Sequence, residues 1–259
     1  MRTPSVARRW SSLTTRTSRS LWPIGRFWSG RRRSLPRTAL LAAGSSAFAA
    51  AVWAALDRSH DGLSLLLVAF ALLAVGVVWL ERGPDSAKEL ALIATLGATA
   101  AAGRVLFAAI PGVQPVTVMT VAAGAALGAR SGFAVGALAA FVSNFFLGQG
   151  TWTPWQMLGW GACGVAGALA PKLLRRRIAL AAFCFVLGLA FSAFMDVWNW
   201  LAFYDEHTWQ TFVAVHARGL PFDLAHAIGN VVIALAAGPE LRRLLDRYGR
   251  RLHTEVIWA

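Results

Sequence analysis

The sequence contains little charge and few cysteines. Only 14% of its 259 residues are charged and 57% are hydrophobic, whereas soluble domains carry about 25% charged residues. This composition excludes an ordinary soluble globular protein and predicts a single integral membrane domain. The two cysteines, Cys163 and Cys184, both lie inside apolar runs, so no disulfide framework is expected.

Motifs for nucleotide hydrolysis and catalysis are also missing. The chain contains no G-x-x-x-x-G-K-[ST] loop, so it is not expected to hydrolyse ATP itself. Ser131 follows Arg130 without a partnering histidine, and Asp196 has no second carboxylate near it in the sequence. We therefore expect no catalytic residue, no cofactor and no metal site, and predict that the protein is not an enzyme.

Acidic residues are missing from the N-terminal segment. Ten of the 25 Lys and Arg residues lie in residues 1–37, which contain no Asp or Glu. Most of the others lie in short links between apolar runs, a placement typical of membrane topology and not of nucleic-acid binding. Residues 1–37 are predicted to be a disordered cytoplasmic tail, which either binds anionic membrane lipid or only enforces orientation.

Eight apolar runs follow this tail, and we interpret them as eight transmembrane helices. They cover roughly residues 39–56, 63–80, 90–110, 116–129, 133–148, 157–171, 178–204 and 224–238. The first two form an accessory hairpin at 38–82. The other six form a membrane core at 83–259, which ends in a basic cytoplasmic tail. The predicted fold is all-α and integral to the membrane, with two additional N-terminal helices before a six-helix core.

The basic residues predict an orientation. If residues 1–37 are cytoplasmic, 22 of the 25 Lys and Arg residues fall in inner segments, and only Arg58 and Arg218 fall in outer ones. Such a bias predicts a multi-pass protein of the cell membrane with both termini in the cytoplasm.

Polar residues inside the apolar runs indicate a ligand site, because ionisable groups are costly in lipid and usually functional. By helical rise, Arg104 and Asp196 lie about 6 Å and about 7–8 Å outside the midplane. The side chains expected at this depth are Arg104, Asn144, Asp196, Asn199, His226 and Asn230. They predict a cavity open to the outside. The alternative is an internal ion pair between Arg104 and Asp196, with the amides holding helices together.

Tryptophans and small residues add two further patterns. Trp152 and Trp155 lie in a loop on the same outer side, where flat rings suit a planar heterocyclic ligand, although an interfacial belt also accounts for some tryptophans. Glycines recur every four residues at Gly124, Gly128, Gly132 and Gly136, which predicts close helix packing.

Alanines form a similar small-residue face on the first core helix. They are Ala94, Ala98 and Ala102. This face packs either inside the core or against a partner protein, and the sequence leaves both possibilities open.

From about residue 87 to residue 251 the chain resembles the substrate-binding S component of an energy-coupling factor (ECF) transporter. The resemblance rests on Arg104-Val105-Leu106-Phe107 running into residues 110–115, and on the glycine-rich helix pair that follows. It continues with residues 144–150 before a Trp/Pro loop, and with residues 196–200 and 221–230. The tail and the hairpin at 38–82 fall outside the resemblance and depart from the six-helix pattern.

The resemblance implies a protein that binds a vitamin or related micronutrient near the outer face, for ATP-driven import by a transmembrane coupling subunit and two ATPase subunits. It assigns Ala94, Ala98 and Ala102 to contact with the coupling subunit, and it implies that residues 111–115 and 148–156 close over the ligand. The resulting set of substrate-binding residues is Arg104, Gln114, Asn144, Trp152, Trp155, Asp196, Asn199, His226 and Asn230.

The aromatic and charged residues suit cobalamin, a flavin or another ring-bearing nutrient, and we favour a corrinoid. Two other classes remain open. One is a secondary transporter of a small organic solute, with Arg104 and Asp196 as a gating pair. The other is an interaction protein whose buried charges only fix the register of its helices.

Overall fold

The computed structural model of the chain describes residues 87–252, and all regular structure within that range is helical. The helices are α1 (Ala87–Leu106), α2 (Val116–Leu127), α3 (Ala129–Leu147), α4 (Trp152–Leu169), α5 (Arg177–Phe203), α6 (Trp209–Ala236) and α7 (Gly238–Leu252), with a short 3-10 turn at Leu173–Arg175. The all-helical prediction is confirmed for this range. The predictions for the tail at 1–37 and the hairpin at 38–82 lie outside it.

Four of these helices, α1, α3, α5 and α6, are long and apolar enough to cross a membrane. The shorter α2 has only 12 residues, or about 18 Å of helical rise, which is less than the thickness of a bilayer core. Nine of its residues are buried. An apolar helix of this kind, hydrophobic on all sides, belongs in the interior of a bundle.

The helices run up and down, so their ends collect at two levels. At one level the Ser131 hydroxyl, in the first turn of α3, donates a 2.8 Å hydrogen bond to Glu89 in the first turn of α1. The link before α5 and all of α7 lie at this level, which we call the basic end. The opposite level, called the Arg104 end, holds the α1–α2, α3–α4 and α5–α6 loops.

Glycines bring the backbones of α2, α3 and α4 into direct contact. A Cβ atom on Gly124 would overlap the carbonyl oxygen of Gly164, and one on Gly136 would overlap that of Trp160. Gly132 packs on the main chain of Gly124. The predicted packing role is confirmed for these three glycines. We call these contacts the glycine seam. Gly128 has a different role, because it has open space around it and a φ of +99° in the α2–α3 turn.

Two segments differ from the sequence prediction. Helix α6 begins at Trp209, although the last apolar run was placed at 224–238, and it continues through Pro221. The Thr208 hydroxyl accepts the Thr211 amide at its start, in a capping box. Proline and polar residues there suggested an outer loop, but neighbouring helices support α6 across the break in its hydrogen bonding.

The second difference is α7, which replaces part of the predicted basic C-terminal tail. Its apolar residues recur at helical spacing, and the side chain of Leu245 is only 1% exposed. Arg242 reaches α2 and donates a hydrogen bond to the carbonyl of Ala122 at 3.4 Å. A helix that buries one stripe of side chains in this way is part of the folded core.

Candidate functional site

Arg104 lies in the last turn of α1 and is only 6% exposed. Its Nε donates to Gln114 Oε1 at 3.1 Å, and its Nη1 donates to Ser143 Oγ at 2.7 Å and to Asn144 Oδ1 at 2.6 Å. All three partners are neutral. The remaining nitrogen, Nη2, has no hydrogen-bond partner among the described residues.

An aromatic ring covers one face of this guanidinium. The Cζ atom of Arg104 lies 4.8 Å from the ring centroid of Trp160, within the range of a cation–π interaction. Trp160 is 1% exposed and stacks on Phe191 at a centroid distance of 4.3 Å. Its Nε1 donates to Thr117 Oγ1 at 3.2 Å. We call Arg104, Gln114, Ser143, Asn144 and Trp160 the Arg104 cluster.

Asn144 links this cluster to the α3–α4 loop. Its Nδ2 donates to Thr153 Oγ1 and to Gln156 Oε1, both at 2.9 Å. Thr153 in turn donates to Gln149 Oε1 at 2.9 Å. The α3–α4 loop is therefore connected to Arg104 by a chain of hydrogen bonds between neutral side chains. This chain passes through the Asn144 amide, which also accepts a hydrogen bond from the guanidinium.

His226 extends the network to α6. Its Nδ1 lies 2.7 Å from the carbonyl oxygen of Gly112, and its Nε2 lies 3.4 Å from Thr117 Oγ1. A carbonyl only accepts, so Nδ1 carries the proton and Nε2 accepts from the Thr117 hydroxyl, which itself accepts from Trp160. Gly112 has a φ of +75°, and a Cβ there would press on the backbone nitrogen of His226. This glycine allows the α1–α2 loop to approach α6.

The possible ion pair between Arg104 and Asp196 is not formed. Asp196 lies on α5 against α6, where Gly219 leaves room for its carboxylate. Asp223 and His216 of α6 lie close to it there, and Ser192 lies close to Asp223. Helix α1 packs mainly on α3, and α5 packs mainly on α6. Arg104 and Asp196 lie at the same end of the bundle, but they are not neighbours because α1 and α5 do not pack together.

Two predicted asparagines also lie apart from the cluster. Asn230 is fully buried on α6 beside Gly188, and neither its Oδ1 nor its Nδ2 has a hydrogen-bond partner in the described part of the chain. Asn199 is half-buried on α5. The structure thus connects Arg104, Gln114, Asn144 and His226, and leaves the other predicted polar residues outside that network.

The loop predicted for Trp152 and Trp155 is wrong, because both residues lie in the first turn of α4. They belong to a separate aromatic cluster between α4 and α5. Trp152 packs edge-on against Trp198 at 6.2 Å, and Trp155 packs on Phe194 at 5.4 Å. The indole Nε1 atoms of Trp155 and Trp198 are buried without an acceptor in the described residues. A buried indole usually finds a hydrogen-bond partner, so these two donors are unsatisfied within the described part of the chain.

The alanines predicted to contact a partner lie on an exposed face of α1. Ala94, Ala98 and Ala102 are all exposed. The opposite face of α1 is buried and includes Gly97, which packs on Leu138 of α3. The three alanines therefore do not pack inside the core formed by the described residues.

Several residues of the network were missed from the sequence. Thr117 and Ser143 are small hydroxyl residues within apolar runs, where nothing in the local pattern separates them from packing residues. Asp223 fell just outside the apolar run given as 224–238, although its spacing from His216 and His226 along one helix was a usable signal. Trp160 was not among the predicted binding residues, because the sequence alone does not distinguish its indole from that of an ordinary interfacial tryptophan.

Residues 85–240 match the model of a protein family described as a family of unknown function, DUF6580. No curated protein and no solved structure matches the chain. The matched stretch covers more than half of the sequence and contains α1 to α6 with the whole Arg104 cluster. Most of α7, including Arg242, lies beyond it.

Proposed function

This chain belongs to the DUF6580 family, and we propose that it is a membrane-embedded solute-binding subunit of the S-component type. In this proposal it binds a vitamin or related micronutrient and passes it to the partner subunits of an ECF importer. The resemblance described under Sequence analysis supplies this class of function. The geometry around Arg104 supports a binding role.

The single observation that carries the proposal is a buried cation whose direct partners are all neutral. Arg104 is 6% exposed and bonds two amides and one hydroxyl. A buried charge is normally paired, and an ionisable group within a membrane helix usually serves function. A bound solute with a carboxylate or phosphate group would supply the missing counter-charge through Nη2, which bonds none of the described residues.

The surroundings restrict the solute class. Gln114 bonds Arg104 from the α1–α2 loop, and Gln149 of the α3–α4 loop is linked to Arg104 through Thr153 and Asn144. These two loops are in positions from which they would close over a ligand. Trp160, Phe191 and His226 provide ring faces below the guanidinium. We propose a ring-bearing nutrient with an anionic group, with corrinoids among the compounds to test first.

The membrane arrangement is part of the proposal. Six apolar helices would form the membrane core, and the two predicted from 38–82 would add a hairpin in the cell membrane. The Arg104 end would face outward, with both termini cytoplasmic. The collection of Arg130, Lys172 and the arginines of α7 at the basic end supports this orientation.

The partner side of the proposal uses the exposed alanines of α1. Ala94, Ala98 and Ala102 would meet the transmembrane coupling subunit, because small residues allow helices to approach closely in lipid. Two ATPase subunits would drive release. The hydroxyls of Thr95 and Thr99, on the same exposed side, are bonded to carbonyls four residues back, so this face carries no unsatisfied donor.

Solute binding is tested with the purified full chain by thermal shift against a panel of vitamins and corrinoids. We expect an anionic compound to raise the unfolding temperature of the wild type and not that of Arg104→Gln. Arg218→Gln removes an exposed arginine of α6 and serves as the matched control, which should respond like the wild type. An equal response of Arg104→Gln would refute the role of Arg104.

The partner face is tested by uptake in cells that carry the coupling and ATPase subunits. Ala98→Trp should abolish uptake but leave solute binding to the isolated protein intact, because its side chain lies outside the core. Val186→Trp, on an exposed face of α5, is the control for a bulky residue in lipid. Normal uptake by Ala98→Trp would argue against a coupling subunit on this face and favour transport without one.

A further inference from the structure

A cavity of about 950 Å³ lies at the basic end, between the start of α5, the end of α6 and α7. Its arginines are Arg175, Arg177, Arg242, Arg243, Arg247 and Arg250. We infer that this basic groove binds the phosphate headgroup of an anionic phospholipid from the adjoining leaflet. The inference is independent of which solute the Arg104 end binds.

The charge balance of the groove favours an anion. Its two acidic residues are already engaged, since Asp246 lies 3.3 Å from Arg242 Nη2 and 3.8 Å from Arg175 Nε, and Glu240 lies 2.8 Å from Arg243 Nη2. Leaving Arg250 aside, five guanidinium groups thus face two carboxylates among the described residues, an excess of three positive charges. Arginine forks bind phosphate oxygens in a bidentate manner, which makes arginine well suited to this partner.

Arg242 is a fixed and buried part of the groove. It is 4% exposed, its Nη2 donates to the carbonyl of Pro171 at 3.3 Å, and its Nε is buried without a hydrogen-bond partner in the described residues. Burial lowers the pKa of this guanidinium, Asp246 opposes that shift, and the positive charge of Arg175 adds to it. A second anion in the groove would therefore stabilise the charged form of Arg242.

The position of the groove selects a lipid over a soluble partner. Arg177 is the first residue of α5, and its Nε donates to the carbonyl of Leu235 near the end of α6, at 3.0 Å. The groove therefore lies where two apolar helices end, which is the level of lipid headgroups. Basic pockets between helices at this level are typical sites for acidic lipid headgroups.

Helix α7 has the character of a helix that lies in the membrane interface. Leu244 and Tyr248 are exposed on one side of it, 42% and 46% respectively, and line a mainly apolar groove against α1. Arg243 and Arg247 project toward the basic groove. Such a helix buries its apolar side at the boundary of the acyl chains and presents its cations to headgroups.

The test uses the full chain in a neutral detergent, with dioleoylphosphatidylglycerol, dioleoylphosphatidylcholine or inorganic phosphate added, and native mass spectrometry with thermal shift as readouts. We expect retained phosphatidylglycerol and a raised unfolding temperature, and neither effect with phosphatidylcholine or phosphate. In Arg243→Gln/Arg247→Gln, phosphatidylglycerol affinity should fall about 30-fold, the loss expected for two interfacial cations.

The control is Lys172→Gln/Arg176→Gln, which removes two exposed charges from the same end but outside the groove. It should retain phosphatidylglycerol like the wild type. Unfolding temperatures without lipid show whether both variants are folded. An equal loss of phosphatidylglycerol affinity in the control would show that the general positive charge of this end binds the lipid, and not the groove. Equal stabilisation by inorganic phosphate would show that the groove binds a free anion, and not a lipid.

Discussion

Two buried arginines, one at each end of the bundle, are stabilised in different ways. Arg104 bonds only neutral side chains and lies over an indole ring. Arg242 has a carboxylate at 3.3 Å and two main-chain carbonyls. The counter-charge of Arg242 is supplied by the protein itself, through Asp246. This arginine therefore stabilises the packing of α7, and it also lines the groove, where it can interact with an anion. Arg104 has no such counter-charge within bonding distance, and this is the state expected of a site whose anion arrives with a ligand.

The comparison predicts different costs when each cation is replaced by a neutral chain of similar length. Arg242→Met should lower the free energy of unfolding by about 2–3 kcal/mol, because it removes the nearer of the two cations beside Asp246 and the donor to two buried carbonyls. Arg104→Met should cost about 1 kcal/mol or less, because the lost hydrogen bonds are offset by removing an unpaired buried charge.

Denaturation of the full chain in detergent micelles measures both costs. Arg243→Met, whose side chain is 69% exposed, is the control and should stay within about 0.5 kcal/mol of the wild type. Equal losses for Arg104→Met and Arg242→Met would remove the distinction between the two ends.

A second variant makes Arg104 resemble Arg242. Asn144→Asp places a carboxylate at the oxygen that lies 2.6 Å from Nη1, so the protein itself supplies the counter-charge. We expect affinity for an anionic solute to fall about tenfold or more. Ligand-free stability should change less, because the ion pair gained is offset by the two hydrogen bonds that Nδ2 no longer donates to Thr153 and Gln156.

Isothermal titration with the solute found by screening provides the affinity for this variant. Gln210→Glu adds the same charge at an exposed position in the first turn of α6, outside the Arg104 cluster, and should change affinity much less. Unchanged affinity in Asn144→Asp would show that the solute does not use the positive charge.

The smallest expected effect concerns the support of the ring beneath Arg104. Thr117→Val removes the acceptor of the Trp160 indole and the partner of His226 Nε2, which should cost about 1 kcal/mol and weaken solute binding a few-fold. Thr120→Val is matched in burial and helix, but Thr120 only donates to the carbonyl of Thr117. Similar solute affinities for the two variants would mean that the ring does not need this support.

Much of the fold was predictable because hydrophobicity along the chain reports helices directly. The runs for α1 to α5 were placed close to the observed helices, and the glycine spacing predicted the α2–α3 packing. Hydropathy failed at α6, where Pro221 and Asp223 resemble a loop until a neighbouring helix is present to support them. Hydropathy also failed at α7, because the arginines of this helix lower its average hydropathy although its apolar residues form a continuous stripe.

The candidate site was predictable only in part, since a sequence gives the depth of a residue but not its helix neighbours. Arg104, Gln114 and Asn144 lie on consecutive segments that short loops oblige to pack together, and they meet. Arg104 and Asp196 share an end but belong to helices with different partners, so they do not. Hydroxyl residues such as Thr117 and Ser143 gained a role only from contacts that no local pattern encodes.

The glycine seam has a consequence for how this protein tolerates mutation. Most overpacked contacts in proteins are repairable, because a second substitution can shrink the opposing side chain. At Gly124 and Gly136 the opposing atoms are main-chain carbonyl oxygens of Gly164 and Trp160, and no substitution removes a carbonyl. A larger residue at either position should therefore have no second-site suppressor on the facing helix, so a suppressor screen should yield only true revertants there.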